Sequence, residues 1–239
     1  MASVAQAPRT AADTVTFDLA RQSLRELNRF LHHDLRAGVK KVCVLNPDGA
    51  HNIAAGVDAP VEIEVEGHAG YYAAGMNKQA RVLIRGNAGP GLAEGMESGV
   101  VHVKGFASVS AGAAGHGGLL VIEGDASLRC GISMKGLDIV VGGSVGDFSA
   151  FMAQAGRLVV CGDAGDALGD SLYEAVIYVR GKVSSFGADA HEEPMREPDY
   201  AALADLLAAA GLKHDPKQFR RIASRRELYH WNADANQEY

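Results

Sequence analysis

The sequence predicts an all-β solenoid, a right-handed parallel β-helix of about seven or eight coils with a helical cap at each end. A glycine recurs at every nineteenth position along most of the chain, and this step defines one coil. Residues four and two positions before each glycine are Ile, Val or Leu, the period-2 alternation of a strand with one buried face. The glycines are Gly67, Gly86, Gly105, Gly124, Gly143, Gly162 and Gly181.

Small residues recur after each glycine, which indicates where a coil turns or approaches its neighbour closely. The third position after the glycine is Gly or Ser in all seven coils, and the seventh is Ala or Gly. A single such strand cannot bury its apolar face, whereas stacked coils pair each strand with its copy in parallel. Coils about 4.8 Å apart give a rod roughly 35–40 Å long if there are eight. We assign residues 41–190 to the rod, with a degenerate first coil over 42–56 in which Asp48 takes the glycine position.

Other repeat architectures fit less well. A hexapeptide β-helix repeats in multiples of six, and the glycine step of this chain is not such a multiple. The calcium-binding nonapeptide roll needs dense Gly-Gly-x-Gly-x-Asp runs, which this sequence lacks. A β-sandwich has strands without a fixed period.

The N-terminal end of the rod needs a cap, because open strand edges invite aggregation. Residues 1–15 are predicted to be a disordered tail, and residues 16–40 a capping helix. Ser23-Leu-Arg-Glu26 is a capping box, and Gly38 is a plausible stop for a helix of about 14 residues. Its apolar face is Leu24, Leu27, Leu31 and Leu35.

The C-terminal end, residues 191–239, is predicted to contain two helices and a tail. The first helix opens at Pro198 and stops at Gly211. The second begins at Asp215 and carries Phe219, Arg220 and Ile222. The tail Tyr229–Tyr239 is aromatic and polar without periodicity.

Composition excludes several classes of protein. The net charge is −6 and Lys and Arg form no long run, so no nucleic-acid surface is expected. No uncharged apolar stretch is long enough to cross a bilayer, and the N-terminus lacks the apolar segment of a secretory signal. The three cysteines have no paired spacing, which favours a cytoplasmic location. Cys161 falls on the outward register and is expected to be a free surface or interface thiol.

No group of residues predicts a catalytic, cofactor or metal site in this chain. His191-Glu192-Glu193 lacks the His-Glu-x-x-His spacing of a helical metal site. The glycines of the segment from Gly86 to Gly91 resemble a phosphate loop, but they follow from the repeat. The aspartates after the glycines do not stack on three consecutive coils, which disfavours a glycan-cleaving enzyme. They are Asp125, Asp147, Asp163 and Asp166.

One stretch goes beyond the generic repeat. From Gly143 to Gly169 it contains Phe148-Ser-Ala-Phe151 and Gly162-Asp-Ala-Gly-Asp166. It resembles the C-terminal Gly-x-Gly-x-Gly β-helix domain of the glutamate synthase large subunit, which carries Ser-Phe-Gly-Ala-Phe and Gly-Asp-Ala-Asn-Asp. With its Ser-Leu-Arg-Glu-Leu-Asn helix and Phe-Arg-Arg-Ile segment, the chain is similar to the β-helix subunit of N-methylglutamate synthase (methylamine–glutamate N-methyltransferase).

The resemblance implies a non-catalytic scaffold subunit in a higher-order hetero-oligomer. Its partners would be an amidotransferase-like subunit and a synthase subunit that holds FMN and iron–sulfur clusters, with no cofactor in this chain. The complex would form N-methylglutamate and ammonia from glutamate and methylamine. The structural or interface residues that the resemblance marks are Gly143, Gly146, Phe148, Phe151, Gly162, Asp163, Ala164, Asp166 and Gly169.

Three departures and one alternative accompany this resemblance. Ser149 stands where glutamate synthase has the glycine of Phe-Gly-Ala-Phe, and Gly165 stands where it has Asn. After Gly169 the chain reads Asp-Ser-Leu-Tyr-Glu-Ala, where glutamate synthase has Gly-Leu-Ser-Gly-Gly. The alternative is the β-helix subunit of a formylmethanofuran dehydrogenase or formyltransferase–hydrolase complex, because the segment from Gly131 to Gly136 is similar to the Gly-x-x-Met-x-Gly of that family. An independent glycan enzyme or lectin is disfavoured by the low aromatic content of 6%.

Overall fold

The computed structural model describes residues 9–11, 13–35 and 38–228. The fold is a parallel β-solenoid of about seven turns, which confirms the predicted class. Among the described residues, twelve strands form one sheet in the order β1 to β10, then β12, then β11. The strands are β1 Arg9–Ala11, β2 Thr14–Asp18, β3 Lys41–Leu45, β4 Glu62–Val65, β5 Arg81–Ile84, β6 Val100–Val103, β7 Leu119–Ile122, β8 Lys135–Val141, β9 Ala155–Val160, β10 Val176–Val179, β11 Ala190–Glu193 and β12 Arg220–Ser224.

The glycine step of the sequence is the register of the ladder from β4 to β10. Ile63 pairs with Val82 and Val82 pairs with Val101, and the same offset continues to Ile177. A second ladder of single bridges runs along the position two residues after each glycine, from Ala69 to Val183. Both ladders point their side chains inward, and the Ile, Val and Leu residues of β4 to β10 at these positions form the buried core of the rod.

One corner of each regular coil is made by three left-handed residues at alternate positions. In the coil that follows Gly143, here called the Gly143 coil, they are Phe148 (φ 55°), Ala150 (φ 57°) and Met152 (φ 52°), and a further left-handed residue, Gly156 (φ 98°), lies later in the coil. The middle one is the small residue seven positions after the glycine, and Ala150 is completely buried. The sequence pattern of small residues therefore located the corner, and its outer positions hold larger side chains.

The first coil departs from the regular step. Val44 pairs with Val65, whereas the regular step would pair Asn46 with Val65. By the observed register Asn46, and not Asp48, is equivalent to Gly67. The prediction for Asp48 was wrong, because two additional residues are accommodated between the first coil and the second.

Two strands and a short helix cap the N-terminal end. Strands β1 and β2 occupy part of the predicted tail, so that prediction is wrong for the described residues, and residues 1–8 and 12 lie outside them. The capping box at Ser23 is present, but helix α1 (Leu24–Arg29) and a π-helical turn (Phe30–Asp34) are shorter than the predicted helix. Asn28 bonds both the carbonyl of Asn52 (2.9 Å) and the amide of Ala54 (3.1 Å), so the helix pairs with the backbone of the first coil.

The C-terminal end confirms one predicted helix and corrects the other. Helix α2 (Glu197–Ala209) packs on the outer face of the sheet, where Leu203 and Leu207 contact the outward side chains of β7 to β10. The second predicted helix is only a 3₁₀ turn, Pro216–Gln218. Arg220–Ser224 forms β12, antiparallel to β10, because the last parallel strand otherwise has an open edge. The predicted tail Tyr229–Tyr239 lies outside the described residues.

Candidate functional site

Five of the marked residues belong to the wall of the rod. A Cβ on Gly162 would lie 2.7 Å from the carbonyl carbon of Gly143, and one on Gly146 would lie 2.8 Å from the amide nitrogen of Leu128. Ala164 is 3% exposed and bridges the neighbouring coils. Gly169 (φ +67°) turns a corner against Leu172 and Ile177. The fold explains these small residues, and Gly143 with them, as sites of close coil approach.

Phe148 instead lies on the surface, and Phe151 is half-buried beside it. Their rings meet edge to face with centroids 6.2 Å apart, and Phe148 is 43% exposed. Coil stacking extends this pair into what we call the central apolar patch. The patch comprises Leu128, Ile132, Phe148, Phe151, Met152 and Tyr173.

Asp163 and Asp166 link coils through hydrogen bonds between side chains and the backbone or hydroxyl groups. Asp163 accepts the amide of Lys182 (2.7 Å), and its own amide donates to the hydroxyl of Ser144 (3.0 Å). Asp166 donates its amide to Asp147 (2.8 Å) and accepts the hydroxyl of Ser185 (2.9 Å). Each of these contacts joins residues 19 positions apart, so the aspartates stabilise the stack.

Two glycine-rich segments that resemble ligand-binding motifs are also explained by packing. A Cβ on Gly86 or Gly89 would lie 2.6 Å from the backbone of the preceding coil, so these glycines permit stacking. Met134, within the segment similar to formylmethanofuran dehydrogenase, is fully buried inside a corner, where Met96 and Leu172 occupy the equivalent positions. The repeat accounts for both segments.

Ionisable side chains do not gather into a metal site in the described part of the chain. Within residues 13–35 and 38–228, no group of three His, Cys, Asp or Glu side chains is placed to bind a metal ion. His191 lies on β11, where its Nδ1 is 3.1 Å from the carbonyl oxygen of Ala223 and its Nε2 is 3.5 Å from Glu193. The His191-Glu192-Glu193 segment is thus part of a sheet edge.

Cys161 is a free cysteine, as predicted, but the predicted surface location was wrong. Cys161 does point outward from the sheet, but α2 covers it and it is completely buried. Burial raises the pKa of the Cys161 thiol to about 11 and that of Cys130 to about 12. Cys43 is half-buried.

A buried polar cluster lies under the start of α2, and no sequence pattern predicted it. The Tyr178 hydroxyl donates to Asp199 (2.9 Å), and Arg221 bonds both Asp199 (3.2 Å) and Glu193. Burial opposes ionisation of Asp199, but hydrogen bonds from Tyr178 and Arg196 and the charge of Arg221 lower its pKa. The cluster borders a cavity of about 620 Å³. No sequence spacing links these residues, because β10, α2 and β12 come together only in the folded chain.

A second unpredicted feature is a set of ion pairs on the outer face of the sheet. Arg157 forms a bidentate pair with Asp138 at 2.9 and 2.8 Å, and the two residues are 19 positions apart. Arg85 pairs with Glu66 at the same spacing (3.1 Å). On the first strands Glu64 contacts both Lys41 and Arg85, and the hydrogen bond from Lys41 is the main cause of its lowered pKa. Opposite charges spaced by the repeat could have revealed the pairs one coil apart.

Comparison with curated proteins identifies a relative of nearly the same length. The chain is 54% identical over 225 residues to protein GlxC of Rhizobium meliloti (strain 1021), covering 93% of this chain and 98% of GlxC. No family model and no solved structure matches the chain. In the part of the chain that the structure describes, no helix is long and apolar enough to cross a bilayer.

Proposed function

The chain belongs to the GlxC family, and from this membership and the central stretch we propose that it is a scaffold subunit of a glutamate-synthase-like complex. In its specific form the proposal is the β-helix subunit of a cytoplasmic N-methylglutamate synthase. The rod bridges an amidotransferase-like subunit and a synthase subunit that holds FMN and iron–sulfur clusters. The reaction converts glutamate and methylamine to N-methylglutamate and ammonia, and its chemistry resides in the partners.

The observation that carries the proposal is the uneven cover of the rod's outer face. Helix α2 packs over the outward side chains of β7 to β10, whereas those of β3 to β6 are not covered by it. The uncovered half includes Glu64 with Lys41 and Arg85, and His102, whose Nε2 lies 2.8 Å from Glu123. A charged, flat surface on a rigid support is suited to hold a partner subunit in a fixed orientation.

Reconstitution tests this function. The chain is co-expressed with the amidotransferase-like and flavin-containing subunits, and the purified complex is assayed for methylamine-dependent N-methylglutamate formation. We expect product from the full complex and none from this chain alone. Product formed by the isolated chain would refute the scaffold role.

A partner-binding variant sharpens the test. Arg85→Glu reverses one charge of the uncovered face and should weaken retention of a partner subunit. The matched control is Arg25→Glu, which reverses the charge of an exposed residue on α1 at the N-terminal cap. Isolation of a pterin- or metal-dependent hydrolase as the partner would favour the formylmethanofuran alternative and overturn the N-methylglutamate synthase assignment.

A further inference from the structure

The central apolar patch gathers exposed and half-exposed apolar side chains on three consecutive coils. Leu128, Met152 and Tyr173 are 44%, 45% and 47% exposed. Ile132 is stacked beside Phe151 by the bond from the Ser133 amide to the Phe151 carbonyl (2.8 Å). A groove of about 370 Å³ joins Met152 to Tyr173. Contiguous apolar patches of this kind mark interaction sites.

The backbone at Phe148 supports this interpretation. Its φ of 55° lies in the left-handed region, which disfavours a bulky side chain. The equivalent position is left-handed in the other coils too, where it holds Tyr72, Gly91, Ser110, Arg129 and Ala167, so the core of the rod does not require a large apolar residue there. An exposed aromatic ring held at a strained position is typical of a contact residue.

Charges of opposite sign flank the patch along the rod. Arg129 and Lys135 lie on the Gly124 coil, and Asp166 and Asp170 lie on the Gly162 coil. Among the described residues, none of these four side chains forms an ion pair; Asp170 accepts the Ser171 hydroxyl (2.7 Å) and the Ala188 amide (3.2 Å). The patch therefore has a basic end and an acidic end.

We propose that a second copy of this chain covers the central apolar patch, with the two rods antiparallel. Reversal of one rod about the Gly143 coil places Arg129 opposite Asp166 of the partner subunit, since each lies one coil from the centre. The aromatic pair and Met152 then meet their own copies at the two-fold axis, as an isologous interface requires. Parallel rods would place like charges together.

One acidic side chain at the centre of the interface is accommodated. Asp147 lies on the Gly143 coil, where reversal brings it near its own copy. The residue is half-buried, and its carboxylate is turned along the rod, where it accepts the Asp166 amide (2.8 Å). The dimer uses the corner of the Gly143 coil, whereas the hetero-partner is proposed to bind the outer face of β3 to β6, so the two contacts are tested separately.

Charge reversal in the purified full chain tests the dimer. Mass is measured by analytical ultracentrifugation over a range of protein concentrations. We expect a dimer for the wild type, at least about tenfold weaker association for Arg129→Asp and for Asp166→Arg, and recovery in the double variant. A monomeric wild type, or a dimer that neither single reversal weakens, would overturn the proposal. So would a double variant that folds but remains as weak as the single ones.

A second experiment tests the dimer by removing a side chain from the central apolar patch. Phe148→Asn removes the ring at a position where Asn is tolerated, and it should lower the dimer fraction with an unchanged circular dichroism spectrum. The control is Phe106→Asn, which removes an aromatic ring that is also exposed (52%) but lies outside the patch, and it should leave the dimer intact. Asp166→Arg could unfold the chain, because Asp166 bonds neighbouring coils. The Arg129 side chain has no intramolecular partner among the described residues, so Arg129→Asp should fold and tests the dimer by itself. Equal loss of dimer from both phenylalanine variants would contradict the assigned surface.

Discussion

Replacement of Gly162 by Ala should separate two coils of the rod. The new Cβ would lie 2.7 Å from the carbonyl carbon and 2.8 Å from the carbonyl oxygen of Gly143. The hydroxyl oxygen of Ser144 would be closer still, at 2.5 Å, and could rotate away, but the two Gly143 atoms belong to the backbone of the neighbouring coil and cannot. Gly162 is outside the left-handed region, so the penalty arises from the close approach and not from φ.

The size of the effect follows from two contributions. Overpacking in a well-packed interior costs about 1–3 kcal/mol. The Gly162 amide also bonds the Gly143 carbonyl at 2.7 Å, and separation of the coils loses about 1 kcal/mol from this hydrogen bond. The free energy of unfolding should therefore fall by about 2–4 kcal/mol. For a domain of this size, each kcal/mol lowers Tm by about 2–4 °C, which gives about 4–16 °C in total.

Thermal unfolding followed by circular dichroism measures this effect. Gly49→Ala is the matched control, because nothing lies within 4 Å of its Cβ and only the left-handed φ of +67° opposes alanine. Gly162→Ala should lower Tm by more than Gly49→Ala. A Tm for Gly162→Ala equal to that of the wild type would refute the argument that coil stacking selects the glycine.

Two further predictions concern buried groups. Cys130 and Cys161 should resist a thiol reagent in the native protein near pH 8 and react only on unfolding, whereas the half-buried Cys43 should react first. Rapid labelling of Cys161 in the native protein would show that α2 does not cover it. Because the pKa of Asp199 is lowered on folding, its ionisation stabilises the protein above its unfolded pKa of about 3.9, and this stabilisation disappears as the pH falls through the folded value. The difference in Tm between wild type and Asp199→Asn should therefore shrink below about pH 4, and a difference independent of pH would contradict the assignment.

The interior of the rod was predictable because its residues repeat. Ile63 and Val82 occupy the same environment one coil apart, so one buried position predicts the others. The same logic extends to the Asp138–Arg157 ion pair, whose spacing matches the register. The 19-residue repeat therefore predicts the fold and part of the surface.

The ends of the rod were not predictable in the same way. Residues Arg220–Ser224 have no repeat to define them, and they form a strand because β10 offers an open edge. Asp199 and Arg221, which are distant in the sequence, meet only after that strand has formed. Tertiary pairing, which local sequence does not encode, decided these elements.

The side chains at the outward corner positions distinguish this chain from a generic solenoid, because packing in the core does not determine them. Phe148 shows how this can be measured, because its left-handed backbone favours Asn over Phe by about 1 kcal/mol, while loss of the edge-to-face contact with Phe151 costs about 1 kcal/mol. At high dilution Phe148→Asn should therefore unfold close to the temperature of the wild type. At concentrations where the wild type associates, dimerisation stabilises it and it should unfold at the higher temperature. A variant less stable than the wild type at every concentration would show that Phe148 serves the rod itself rather than a contact between molecules.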